Sequence, residues 1–354
     1  MTNEEMAPQE QKEQPKIGTV GGEALMEGIM MRGPEGAAMS LRLPNGRIET
    51  KLKEIKLPAD RCKILGWPLI RGPVNLVSSM VFGYKCMMES AEVVTAGIIE
   101  ETDTEELGKI DRWIEKHFGP RMMRVLSVIG VVLGIGFALG VFVLLPTLIY
   151  DGIVRLTGDI GWRAVIEGLV RISLFVLFMF LTSLTSDIRR VFQYHGAEHK
   201  AIYCYEAGLE LTVENVKAQK RLHPRCGTSF LFVVILLSIL VSALLSVLFP
   251  ALWLSDIILL RMAARFMMLP LLMALGYEFI RFAGKHLKNP LVRALSFPGM
   301  CMQRITTKEP DDDIIEVGIV ALKAALGMPY EEPEEEAEDD DDTPGDAAST
   351  EEPV

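Results

Sequence analysis

The chain has 354 residues, 49% of them hydrophobic, a positive mean hydropathy and a formal net charge of -11. That hydropathy argues against a plain soluble domain, and no basic stripe interleaved with aromatics points to nucleic acid. The negative charge is local: Glu331 to Val354 carries thirteen acidic residues and no basic ones, which leaves the rest of the chain at +2.

Residues 1–16 are polar and have no apolar stretch of the kind a secretory signal needs, so they read as a disordered tail. Residues 17–120 read as a small soluble α+β domain. Gly21-Gly22-Glu23-Ala24-Leu25-Met26-Glu27-Gly28 lacks the Lys-Ser/Thr of a phosphate loop and the spacing of a dinucleotide fingerprint. Tight turns around a short strand are its ordinary reading, with Glu23 and Glu27 as candidates for a polar site. Ala37 to Lys56 reads as a β-hairpin around Pro44-Asn45-Gly46, because Asn-Gly between alternating runs favours a hairpin turn. Leu65 to Val94 reads as mostly helix, with Trp67-Pro68 and Gly72-Pro73 breaking its start. Its apolar run Val74 to Tyr84 is too short to span a membrane, so it is either an interfacial helix or one packed on the domain.

Residues 121–308 carry the membrane helices. Val125 to Tyr150 and Ser229 to Trp253 hold no charge and exceed the ~18–20 residues of a spanning helix. Trp162 to Ser186 carries Glu167 and Arg171, spaced to pair with each other, unless Arg171 snorkels to the interface. Leu254 to Ile280 carries Asp256, Arg261 and Arg265, which must face protein or the interface. Four spans result. Basic residues gather before the first span, between the second and third, and after the fourth. The positive-inside rule therefore puts both termini and the 187–228 loop in the cytoplasm, in the cytoplasmic membrane. There the five scattered cysteines are expected to be free thiols.

The 187–228 loop carries the chemistry. Ile188 to Tyr205 reads as a helix continuing out of the second span, and it contains His195-Gly196-Ala197-Glu198-His199. Helical spacing puts His195 and His199 on one face, where both can grip one ion. Glu198 could then orient or deprotonate a metal-bound water. Leu211 to Val216 begins a second helix with Thr212 as N-cap, and His223-Pro224-Arg225-Cys226-Gly227 is a turn feeding the third span. Zinc accepts histidine nitrogen and cysteine sulfur, so His195, His199, His223 and Cys226 form a candidate site for a divalent transition metal. Four protein ligands would close the shell; three plus water would leave it catalytic. Glu278 is a further candidate ligand from the fourth span. The ordinary alternative is histidines bonded to headgroups or carbonyls, with Cys226 as a small buried apolar residue.

Residues 309–328 read as a C-terminal cytoplasmic helix, Ile314 to Leu326, capped by the acids of Asp311-Asp312-Asp313; metal ligation by those acids is the alternative. Residues 329–354 read as a disordered acidic tail.

Three motifs occur in order: Gly21-Gly22-x-Ala24-x-Met26-Glu27-Gly28-x-Met30-Met31-Arg32-Gly33-Pro34, His195 to Lys200, and His223 to Ser229. With them the chain resembles the YqhQ-like family of bacterial membrane proteins over roughly Ile17 to Gly327. That family is a domain of unknown function, commonly labelled a predicted metal-dependent enzyme, so the resemblance implies metal chemistry without a substrate.

The fold expected is an α-helical integral membrane protein of about four spans with a small α+β N-terminal domain containing a hairpin. Two functions follow. One is a metal-dependent hydrolase acting on a small-molecule substrate, with Glu198 as catalytic base. The other is a membrane scaffold or assembly factor with a structural metal clip and a protein partner. Both keep the lipid membrane as a partner, and neither involves nucleic acid.

Overall fold

The computed structural model describes residues 18–55, 58, 62–101, 120–158, 162–253, 255, 257–286 and 289–331. The tail expected at 1–16 lies outside them, as does the acidic tail from 332 onward.

Four strands, β1 (Gly21–Leu25), β2 (Gly28–Gly33), β3 (Gly36–Arg42) and β4 (Ile48–Lys53), form an antiparallel meander in chain order. The expected hairpin is its second half. Its first half is the glycine-rich segment, in which Leu25 pairs with Gly28 across a two-residue turn.

The sheet is covered on both faces. Ile29, Met31, Ala38 and Ile48 pack on Tyr194, Ala197 and Ala201 and on Ile314, Val317 and Ala321. Leu25, Met30, Met39 and Leu41 pack the other way, against Cys86 and Phe82. Burial on both sides explains why Ile29-Met30-Met31 is a continuous apolar run, not an alternating one. The helices involved are α1 (Arg71–Glu101), α5 (Ser186–Glu206) and α11 (Asp312–Ala325). The packing around the sheet thus draws on three separated stretches of chain, two of them outside residues 17–120.

Among the described residues four helical stretches are long and apolar enough to cross a membrane: Val128–Thr157, Arg163–Thr182, Gly227–Leu248 and Ile258–Lys285. They match the four expected spans. The first is α2 (Pro120–Leu139) joined to α3 (Leu145–Thr157) through a π-turn at Gly140–Leu144. The others are α4 (Arg163–Thr182), α7 (Gly227–Leu248) and α9 (Ile258–Lys285). The short helices α6 (Val213–Lys217), capped by Thr212, and α8 (Pro250–Trp253) complete the set with α10 (Pro290–Thr306).

Some local expectations are corrected. The histidine helix does not continue out of α4: the chain breaks at Ser183–Thr185, where Ser183 Oγ donates to the Phe180 carbonyl and Thr185 is extended. Glu167 and Arg171 do not pair, since Glu167 meets Arg265 at 2.5 Å while Arg171 turns to the Phe142 carbonyl. α1 begins at Arg71 and packs on the last span, where Arg71 grips Glu278 through two 2.7 Å hydrogen bonds. All five cysteines are free.

Candidate metal centre

One turn apart on α5, His195 and His199 stand side by side, their ring centroids 4.5 Å apart. Cys226 comes from the residue before the start of α7. One ligand atom from each of the three lies within 4.8 Å of the others, and His195 Nε2 is 3.2 Å from Cys226 Sγ.

The backbone fixes both rings. His195 Nδ1 donates to the Thr306 carbonyl at 2.8 Å, and His199 Nδ1 donates to the Arg221 carbonyl. A ring nitrogen facing a carbonyl must carry the proton, so each Nε2 keeps its lone pair. This is how metal-binding histidines are commonly held. Tetrahedral zinc needs N and S atoms roughly 3.3–3.6 Å apart, given bonds of about 2.0–2.3 Å. The His195–Cys226 pair, at 3.2 Å, needs to open by only about 0.1 Å, and the widest pair, within 4.8 Å, needs to close by about 1 Å at most.

The fourth expected ligand stands apart from this group. The His223 ring lies 5.5 Å from that of His199, but its Nε2 faces the Arg225 guanidinium at 3.3 Å and Glu206 at 3.9 Å. Burial lowers the His223 pKa and keeps the ring neutral against the pull of Glu206. Burial would raise Glu206, but the neighbouring His223 ring and hydrogen bonds from Arg225 and the Gly18 N–H outweigh it and hold this carboxylate at about 2. Gln303, fully buried, accepts from the His223 N–H at 2.7 Å and donates to the His223 carbonyl at 2.7 Å and to Ser229 Oγ at 2.9 Å. Neither Glu278 nor Asp311–Asp313 joins the group. Asp311 occupies the N-cap position of α11 without a capping bond and accepts from Gln193, while Asp312 pairs with Lys217.

The three residues border a cavity of about 550 Å³ enclosed by β1, α1, α5 and the start of α7. Leu76, Met80, Phe192 and Leu231 give it apolar walls, and Glu23, Arg32, Glu198, His223 and Arg225 are among the polar groups that also line it. Glu198 is buried; burial pushes its carboxyl up to about 7, Glu23 adds to this, and His195 and the Gly22 N–H oppose it. Glu198 lies close against β1 because residue 22 is glycine: a Cβ there would stand 2.8 Å from Glu198 Cγ. Burial also raises Glu23, against the pull of Arg32 and His195. Arg32 is held by Ser79 at 2.9 Å. Glu27, the other early acid, is used elsewhere, meeting Arg190 at 2.5 Å and Tyr194 at 3.2 Å.

The family profile described as "Protein of unknown function (DUF1385)" matches residues 67–328. The chain belongs to this family. It is 33% identical over 312 residues to the "Uncharacterized protein YqhQ" of Bacillus subtilis (strain 168), spanning 87% of this chain and 92% of that protein. The resemblance read from the three motifs is thereby borne out. No solved structure matches. The DUF1385 region contains His195, His199, Cys226 and Glu198, whereas β1 to β4, with Glu23 and Arg32, precede it.

Sequence reasoning missed Arg32, Gln303 and Thr306. An arginine in a strand, and a glutamine and a threonine in an amphipathic helix, carry no local signal. Only the packing of α10 on α7 brings the last two to the site.

Proposed function

We propose that this is a multi-pass membrane protein whose module on the cytoplasmic face holds a divalent transition ion, with zinc the first candidate, for a hydrolytic reaction. One observation carries the reading. Both histidines spend Nδ1 on backbone carbonyls, which leaves each Nε2 as the available donor, and His195, His199 and Cys226 each bring a ligand atom within 4.8 Å of the others. Three protein donors leave a coordination position open, as catalytic sites do; His223, which would close the shell, is engaged by Arg225 and Glu206. The ion supplies Lewis-acid polarisation of the bond to be cleaved. Glu198, buried on the same wall, takes the proton from the attacking water. Arg32 and Glu23 orient the substrate across the cavity. Basic residues flanking the spans support both termini facing the cytoplasm. The competing reading is a scaffold in which the same residues form a structural clip for a protein partner.

Metal analysis decides the first step. Protein purified without metal affinity media should carry about one transition ion per chain, and His195→Ala/His199→Ala should carry none. Stoichiometric metal in that double variant would end the assignment. Glu198→Gln should keep metal and fold yet fail to restore function in a deletion strain. Full restoration with unchanged metal would favour the scaffold. Labelling of a cysteine at Lys217 from outside intact cells would reverse the orientation.

A further inference from the structure

Within the candidate membrane spans, away from the histidines, lies a second polar centre. Asp151 on α3 takes Arg163 from α4 and Arg261 from α9, the latter at 2.6 Å. One step further in, Glu167 meets Arg265 at 2.5 Å. Deepest is Arg171, two helical turns beyond Arg163, or roughly 12 Å along α4 at the α-helical rise. Among the described residues these are four guanidinium groups against two carboxylates. Of the two surplus cations, one shares Asp151 and the other is Arg171, which forms no ion pair with either carboxylate.

Its two hydrogen bonds are to neutral groups. Nε donates to the Phe142 carbonyl at 2.8 Å, in the π-turn that interrupts the first span, and Nη1 donates to Ser238 Oγ at 2.8 Å. Arg171 borders a cavity of about 410 Å³ that Arg265, Ser238 and Ser242 also line and whose walls are otherwise apolar, with Leu139, Val234, Ala263 and Leu272 among them. That volume lies in the range of small-molecule sites. An unneutralised cation at hydrocarbon depth is unfavourable and marks a site that takes a counter-charge. A bare inorganic anion would have to shed its water to enter walls that offer it little else.

We propose that Arg171 binds the anionic head of a single-tailed membrane amphiphile, a carboxylate or phosphate, whose tail fills the aliphatic part of this cavity. The guanidinium supplies the charge-assisted hydrogen bond, and the bundle supplies the greasy slot. This site is independent of the histidine centre.

The test uses the full chain purified in a neutral detergent, with thermal unfolding followed by tryptophan fluorescence. Oleate and lysophosphatidate carry the two possible heads; oleyl alcohol and inorganic phosphate are the tail-only and head-only controls. At least one anionic amphiphile should raise the melting temperature saturably, and neither control should. Arg171→Gln should weaken this binding by at least about tenfold, the loss of one hydrogen bond to a charged group. Ala263→Phe, which fills the cavity and keeps every arginine, should abolish it. An equal response to oleyl alcohol or to inorganic phosphate would overturn the proposal, as would parent-like binding by Arg171→Gln. Should Arg171→Gln fail to fold, Ala263→Phe decides alone, since unchanged binding there removes the cavity from the argument.

Discussion

The glycine inside His195-Gly196-Ala197-Glu198-His199 is expected to matter through contact, and Gly196→Ala tests this. A Cβ at residue 196 would stand 2.1 Å from the Lys308 carbonyl oxygen. Carbon and oxygen need about 3.3 Å, so the 306–310 segment must withdraw by about 1 Å. Overpacking of this kind costs about 1–3 kcal/mol, and alanine recovers at most about 1 kcal/mol of helix propensity, so a net loss of about 1–2 kcal/mol is expected. The displaced segment also carries the Thr306 carbonyl that orients His195 at 2.8 Å and the Lys308 N–H that bonds the Phe192 carbonyl at 2.8 Å. Loss of such an orienting bond weakens metal binding by about 10–100-fold. Chelator competition on the purified protein reads the affinity, and denaturant unfolding reads the stability. Gly152→Ala, where nothing lies within 4 Å of the new methyl, is the control and should be neutral or stabilising. If Gly196→Ala matches that control in both assays, the close approach does not hold the site together.

Gln303→Leu keeps the shape but strands the His223 N–H and carbonyl; it should cost about 2–5 kcal/mol in chemical unfolding, and a loss under 1 kcal/mol would contradict the buried network. His223→Ala should retain about one metal per chain while Cys226→Ala loses most of it; the reverse pattern would restore His223 as a ligand. Glu206 has its carboxylate depressed to about 2, so its stabilisation is present above its ordinary value near 4.5 and is lost as pH falls through 2. Melting temperature should therefore drop across that acid window, and Glu206→Gln should flatten the drop.

Long uncharged runs made two of the four spans plain, because a bilayer sets a length that few other structures demand. The other two, which carry Glu167 and Arg171 and Asp256, Arg261 and Arg265, were legible from their shorter apolar stretches. Asn45-Gly46 likewise exposed one hairpin through turn chemistry that acts over a few residues. The short strand read between tight turns at Gly21–Gly28 is β1, whereas β2 was hidden because it is buried on both faces and loses the alternation that marks a strand. Helical spacing linked His195 to His199, and proximity in sequence suggested both His223 and Cys226. Which of the last two faces the pair depends on a bend of the chain at Pro224 and on Glu206, Arg225 and Gln303, contacts that no spacing rule contains. The Glu167–Arg265 and Asp151–Arg261 pairs cross between spans, so a reading along one helix proposed Glu167 with Arg171 instead.

The way the sheet is covered has a consequence for biogenesis. Arg42 at the end of β3 bonds the Asp313 carbonyl and Glu316, residues 271 and 274 positions further along the chain. While the ribosome is still making the spans, the β2–β3 surface that will receive α11 has no cover. Tyr194 and Ala197 wait on the histidine helix for the same partner. The four candidate spans are therefore synthesised before the module can close, and the Thr306 carbonyl that sets His195 comes later in the chain than all of them. A chain stopped after its fourth span would carry every candidate ligand and still lack the frame that aims them.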